Sequence, residues 1–192
     1  MNVLHIDSSV LGDHSVTREL TAAIVADLNK TLPNLTVTHR DLDKDSIPHL
    51  TGASLAKADA AEAAAAEQTL QQFIDADIVV IGAPMYNFSI PSTLKAWVDR
   101  VLVAGRTFSY SETGPKGLLS GKKIVIASGR GSAFGEDNPA DFQEKYLKQV
   151  FAFVGLTDVQ FVRAEGIAYS PQHRIDALAA AHATIASLAK AS

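Results

Sequence analysis

Apolar residues fall into five short runs separated by longer amphipathic stretches. The runs are VLHID at 3–7, TVTHRDL at 36–42, DIVVIGAP at 77–84, KKIVIASG at 122–129 and DVQFVRAEG at 158–166. The third and fourth are nearly continuous Val and Ile, the pattern of strands covered on both faces, whereas the second alternates as an edge strand does. Between them, apolar positions recur at helical spacing. Residues 16–30 place Val16, Leu20, Ile24 and Leu28 on one stripe, and 59–74 is Ala-rich and ends in Leu70, Phe73 and Ile74. Residues 91–104 align Leu94, Trp97, Val98, Val101 and Leu102. Residues 140–154 carry Phe142, Tyr146, Val150, Phe151 and Phe153, and 171–190 carries Ile175, Leu178, Ile185 and Leu188. Strands alternating with helices predict βαβ units, a parallel sheet and, through right-handed crossovers, helices on both of its faces.

Two stretches interrupt the alternation. Residues 43–58 read as an irregular connection. Residues 105–121 are rich in Gly and turn formers, with Phe108 and Tyr110 alternating as in a short hairpin. There is no internal repeat, and 192 residues suit one domain spanning 1–192. With 47% apolar and 20% charged residues and a net charge of −4, the chain reads as a soluble globular protein; neither nucleic acid nor an anionic membrane is expected as its main partner. No run of 18 apolar residues marks a spanning helix, and the N-terminus enters strand-like sequence without a secretory signal pattern, so a cytoplasmic location is expected. The absence of cysteine excludes disulfides, thiolate catalysis and zinc–thiolate sites.

In an open parallel sheet, ligands bind beyond the carboxyl ends of the strands, where the strand order reverses. The loop after the first strand, SSVLGDHSVTREL, places Ser8, Ser9, Ser15 and Thr17 around the start of a helix. A helix N-terminus with hydroxyl donors suits a phosphate; a plain N-cap at Ser15 reads the same residues without a ligand. The loop is longer than most strand–helix connections, which favours phosphate. After the third strand comes APMYNFSIPSTLK, with Met85, Tyr86, Asn87 and Phe88 ahead of Pro91. A hydrophobic staple leading into a helix with Pro91 near its first turn explains Pro91 and Phe88, but not the other three. Met and aromatic side chains pack on planar rings, and Asn reaches ring edges with hydrogen bonds. After the fourth strand, SGRGSAFGEDNP at 128–139 offers Gly129, Gly131 and Gly135 for close backbone approach and Arg130 for a ring edge; viewed by itself, the loop reads as a flexible one with an exposed Arg.

Other motifs fail on spacing. GRGSAFG is one residue too long for the dinucleotide fingerprint and follows the wrong strand, and GLLSGKK precedes a strand where a Walker loop follows one. There is no G-x-S-x-G, the six histidines show no paired ligand spacing, and no acid–base carboxylate pair stands out, so no metal is expected. A phosphate nest, a ring-stacking loop and a Gly-rich loop without a catalytic side chain point to a cofactor that carries the chemistry. A phosphate at one end and a flat amphipathic ring at the other describes FMN.

At these residues the sequence resembles the FMN-dependent NADH-azoreductases, a flavodoxin-like family of NAD(P)H:quinone oxidoreductases. The resemblance lies in SS at 8–9 with S-x-T at 15–17, PMYNFSIPSTLKAWVD at 84–99, TFSY at 107–110, GPKGLLSGKK at 114–123, GLTDV at 155–159 and AEGIAY at 164–169. It implies a three-layer α/β/α sandwich around a five-stranded parallel sheet in strand order 2-1-3-4-5. Residue by residue it implies phosphate contacts from Ser9, Ser15, Val16 and Thr17 and ring contacts from Met85, Tyr86, Asn87 and Phe88. It further implies contacts from Ser128, Gly129, Arg130 and Gly131, although many relatives read S-R-G-G where this chain reads SGRG. Tyr110 and Phe153 match aromatic positions on the substrate side. The family forms homodimers with active sites at the interface and works by ping-pong hydride transfer from NADH or NADPH to quinones or azo compounds. A flavodoxin-like FMN electron carrier serving a protein partner is the alternative, and a net charge of −4 with a long serine loop fits it less well.

Overall fold

A computed structural model describes residues 1–135 and 138–188. Five strands form one parallel sheet: β1 (Asn2–Asp7), β2 (Thr36–Asp41), β3 (Ile78–Pro84), β6 (Lys123–Gly129) and β7 (Val159–Ala164). Their order is β2-β1-β3-β6-β7. It is the expected 2-1-3-4-5 arrangement, since β4 (Phe108–Ser111) and β5 (Gly114–Gly117) pair separately as the antiparallel hairpin. The Val/Ile-rich β3 is buried along its whole length, and β2 is exposed at one edge, in keeping with their patterns.

Helices cover both faces. On one, α1 (Val16–Thr31) and α6 (Pro171–Leu188) bury Val16, Leu20, Ile24, Ala181 and Ile185 against Val3, Val80 and Val125. On the other, α3 (Ala60–Asp75), α4 (Ser92–Val101) and α5 (Glu144–Phe153) bury Phe73, Trp97, Leu94 and Phe151 against Leu4, Ile81 and Ile126. Phe73 meets Trp97 edge-on at 5.4 Å between centroids. No described helix is long and apolar enough to cross a membrane.

The helix ends follow local chemistry. Ser15 caps α1, its hydroxyl accepting from Arg18 N, and Asp59 does the same for α3 from Glu62 N. Pro91 is the N-cap of α4 and not a first-turn residue. The expected helix over 91–104 stops at Val101, because Thr107 Oγ1 donates to Val101 O (2.9 Å) and accepts from Val103 N (3.0 Å). The one expected over 140–154 starts only at Glu144, because Asp141 Oδ1 accepts from the N–H groups of Gln143 and Glu144 at 3.0 Å. The connection at 43–58 contains a turn of helix, α2 (Gly52–Leu55), closed by a capping box between Thr51 and Ser54. Of the tail expected over 171–190, residues 189 and 190 lie outside the described residues, as do 136 and 137 of the fourth-strand loop.

Candidate functional site

The order β2-β1-β3 is a switch point: the chain leaves β1 towards one side of the sheet and continues in β3 on the other. The loops after β1, β3 and β6 therefore rise from three adjacent strands at one rim. In the first, Ser9, Ser15 and Thr17 are buried. Ser15 Oγ and Thr17 Oγ1 lie 3.1 Å apart at the start of α1. Val16 and Thr17 open that helix, so their N–H groups precede its own hydrogen-bond ladder. The Ser15 cap thus stands beside two further buried hydroxyls and the first N–H groups of α1. Ser8 is not part of this corner: its hydroxyl donates to Gly82 O at 2.6 Å and fastens β1 to β3.

In the second loop, Asn87 (φ 50°) and Phe88 (φ 71°) are the central pair of a tight turn closed by Tyr86 N to Ser89 O (2.9 Å) and Ser89 N to Tyr86 O (3.1 Å). Two consecutive left-handed residues make this the mirror-image hairpin turn. Asn tolerates that conformation, but a bulky aromatic rarely adopts it. The turn holds Phe88 57% exposed above the rim. Tyr86 differs from a simple ring-packing residue. Its hydroxyl accepts from Val10 N and shares a hydrogen bond with Ser9 Oγ, both at 3.2 Å, so it locks the second loop onto the first. Met85 N donates to Gly129 O at 2.8 Å and joins the second loop to the third.

The third loop corrects the expectation for Arg130. Its side chain is 1% exposed and turned inward. The guanidinium donates to Gln143 Oε1 (3.0 Å), Asp141 (2.8 Å), Glu144 (2.9 Å) and Glu165 (3.0 Å). It is buried among these groups of its own chain, which take four of its five N–H donors and turn it away from a ring edge at the rim. Burial opposes the ionisation of Asp141, yet the Glu144 N–H and Arg130 hold its carboxyl below the usual range. Ser128 is also fully buried and spends its hydroxyl on Gln143 Oε1 (3.2 Å). Gly129 is buried and Gly131 exposed. A Cβ on Gly129 would meet Thr17 Cγ2 at 2.8 Å, so the missing side chain lets α1 approach the third loop.

Several residues of this rim were not expected. Gln143, fully buried, donates to Ala83 O at 2.7 Å and links β3, Ser128 and Arg130. Arg18 donates to Ser9 O (2.8 Å) and forks onto Asp41 (2.6 and 2.8 Å), anchoring the first loop to β2. That hydrogen bond lowers the Asp41 pKa to about 2. The histidines are not all scattered: His5 on β1 pairs in register with His39 on β2, and both face Asp7. Burial disfavours the Asp7 carboxylate, but the two imidazoles and the Thr21 hydroxyl hold it below the usual range.

Tyr110 and Phe153 lie elsewhere. Helices α4 and α5 run antiparallel to the strands, so the hairpin after α4 and the end of α5 sit at the opposite rim. Phe153 ends the helix that Glu144 begins, about 14 Å along it at 1.5 Å per residue. The two aromatics are gathered there by Phe108, whose ring is 4.6 Å from Phe153 and 5.4 Å from Tyr110, centroid to centroid. Tyr110 is 75% exposed. A cleft of about 510 Å³ beside the Tyr86–Ser89 turn is lined also by Ile90, Ser92, Lys95 and Tyr146. An apolar cavity of about 390 Å³, between Ile24, Leu28, Ile78, Val125 and Ile185, touches none of the three loops.

The sequence matches the family model described as flavodoxin-like fold over residues 1–189. The chain belongs to this family. It is 65% identical to the FMN-dependent NADH:quinone oxidoreductase of Stenotrophomonas maltophilia (strain K279a), over 97% of this chain and 95% of that one. Among solved structures, it superposes on azoreductase from Bacillus anthracis str. Sterne with a TM-score of 0.88, at 29% identity and full coverage of both chains. A FMN-dependent NADH-azoreductase from Bacillus anthracis str. Ames Ancestor, in complex with FMN, gives a TM-score of 0.87 at 27% identity, covering 98% of this chain and all of that one. In this chain, buried hydroxyls at the start of α1, a raised aromatic turn and the buried Gly129 meet at one switch point.

Proposed function

We propose that this protein is an FMN-dependent oxidoreductase that uses NADH or NADPH to reduce quinones and aromatic azo compounds by two-electron, ping-pong hydride transfer. The observation that carries the reading is whole-length identity of 65% to an FMN-dependent NADH:quinone oxidoreductase. The residues present fit the group. The hydroxyls of Ser9, Ser15 and Thr17 and the first N–H groups of α1 offer donors that suit a phosphate monoester. Met85, Tyr86, Asn87 and Phe88 would flank the ring, with Asn87 and the backbone of 128–131 serving its polar edge. When bound, FMN supplies the hydride chemistry. The chain's own part is to bind it, hold the ring orientation and keep donors where negative charge develops. Ser128 and Arg130 act from behind, shaping the loop whose glycines meet the ligand.

Tyr110 and Phe153 belong to the same reading only through a second copy. A homodimer that sets one copy's hairpin and α5 end over the other's rim would cover the acceptor with aromatics. The deciding experiment follows colour. Purified protein soaked in FMN should stay yellow through gel filtration, bleach on NADH and recover on a quinone. Colourless protein would refute flavin binding, whereas a yellow protein unresponsive to NADH would favour the electron-carrier alternative.

A further inference from the structure

We propose that His5, Asp7 and His39 form a binding site for one divalent metal ion of the zinc type. The three side chains come together through strand pairing. His5 and Asp7 are two apart on β1 and so share a face, and His39 is the register partner of His5 on β2. Their ligand atoms all lie within 4.8 Å of one another. Asp7 Oδ2 is 3.3 Å from His5 Nε2 and 2.9 Å from His39 Nε2. Zinc held tetrahedrally at about 2.0–2.1 Å needs neighbouring ligand atoms about 3.3–3.4 Å apart, so the first spacing already matches and the second requires a shift of a few tenths of an ångström.

Three further observations point to an ion at this place. His5 Nε2 is a buried polar atom with no hydrogen-bond partner among the described residues, although it faces the carboxylate. Buried polar atoms are rarely left in that condition, and coordination would satisfy it. Thr21 Oγ1 donates to Asp7 Oδ1 at 2.8 Å, which turns Oδ2 towards the imidazoles, as outer partners of metal ligands do. The His39 side chain is 49% exposed, which opens a path from solvent and room for water as a fourth ligand. Two imidazoles and one carboxylate favour zinc, and also nickel or copper, over magnesium or calcium, which prefer all-oxygen sets. One neighbour opposes a cation: Arg18 Nη1 is 3.8 Å from the same Asp7 oxygen, although it is committed to Asp41 at 2.6–2.8 Å. Arg18 also holds Ser9 O at 2.8 Å, so this corner is tied to the first loop.

The test is a calorimetric titration of tag-free, flavin-loaded protein with zinc chloride, repeated with cobalt chloride to read coordination from its visible ligand-field bands. One ion per chain is expected, with a rise in melting temperature. His39→Ala, a change at an exposed position, should abolish both, and His5→Gln should do so where it folds. His182→Ala, on α6, should leave binding intact. No binding by the unaltered protein overturns the proposal, as does binding that survives His39→Ala or cobalt bands that stay those of the hydrated ion.

Discussion

Replacing Arg130 with Met tests the assignment of this residue as a buried brace for the rim. The substitution keeps most of the volume and removes the charge between Asp141, Glu144 and Glu165. Glu144 retains Arg163 at 2.8 Å, and Asp141 retains two N–H donors at 3.0 Å. Leaving a buried carboxylate without its counter-charge costs about 3–5 kcal/mol, and these surviving partners place the expected loss near the lower end, at about 3 kcal/mol. That is a large part of the ~5–15 kcal/mol by which domains are stable. Urea unfolding should show the midpoint falling at unchanged slope. The half-exposed Arg163, changed to Met, is the control, with a loss of about 1 kcal/mol or less expected. The pH dependence carries a sign. Asp141 is held below the usual carboxylate range, so its contribution is present above the unfolded pKa and fades as pH falls through the folded value. The deficit of the Met variant should accordingly be largest near neutrality and shrink in acid. FMN affinity should fall too, because the third loop loses its support. A variant within about 1 kcal/mol of the parent at pH 7, with FMN affinity unchanged, would refute the bracing role.

Phe88→Gly relieves a left-handed aromatic and should stabilise the protein by about 1 kcal/mol in thermal unfolding, while quinone turnover falls because the exposed ring is gone. Gly129→Ala drives a methyl against Thr17 Cγ2 and should weaken FMN binding about tenfold, or about 1.4 kcal/mol, by fluorescence titration of the apoprotein. The hydrogen bond and charge of Arg18 lower the Asp41 pKa to about 2, so the pair contributes above the unfolded value near 3.8 and is lost as pH falls towards 2. Allowing for solvent screening, Arg18→Met should remove about 1 kcal/mol at pH 7 and progressively less as pH falls through about 2, read from denaturation midpoints across that range. Phe153→Ala should raise the KM for quinones and leave FMN affinity unchanged, since that ring lies away from its own chain's three loops; selective loss of FMN would place it wrongly.

The parts of this architecture that were legible in the sequence are those specified by short-range pattern. Val79, Val80 and Ile81 read as a strand covered on both faces because every residue there must be apolar. Ser15 read as a cap because its partner is three residues away. Arg130 was misread because its surroundings are not local. Flanking glycines suggest an exposed loop, while the groups that bury it come from Asp141, Gln143, Glu144 and Glu165, brought in by α5 and the end of β7. His5 and His39 escaped notice for the same reason: a 34-residue separation becomes adjacency only through the β1–β2 register. Tyr86 looked like a stacking residue because its ring is evident in the sequence, whereas its hydroxyl's partners, Ser9 and Val10, belong to another strand's loop.

These non-local bonds explain how three loops can act as one site. Loops are ordinarily the mobile part of a domain, and a ligand that must order them loses affinity to the entropy of doing so. Here Tyr86 joins the first loop to the second, Met85 N joins the second to the third, and Gln143 fixes the third to the end of β3. Each link uses a polar group that would otherwise need solvent or ligand. These links tie the hydroxyl-lined start of α1, the raised turn and the third loop together at a set separation. The same economy limits which residues can touch a ligand. Ser128 and Arg130 are engaged within the chain, so under the proposed function the third loop would meet its ligand through the backbone around Gly129 and Gly131. Side-chain changes there should act through loop shape and not through a lost contact.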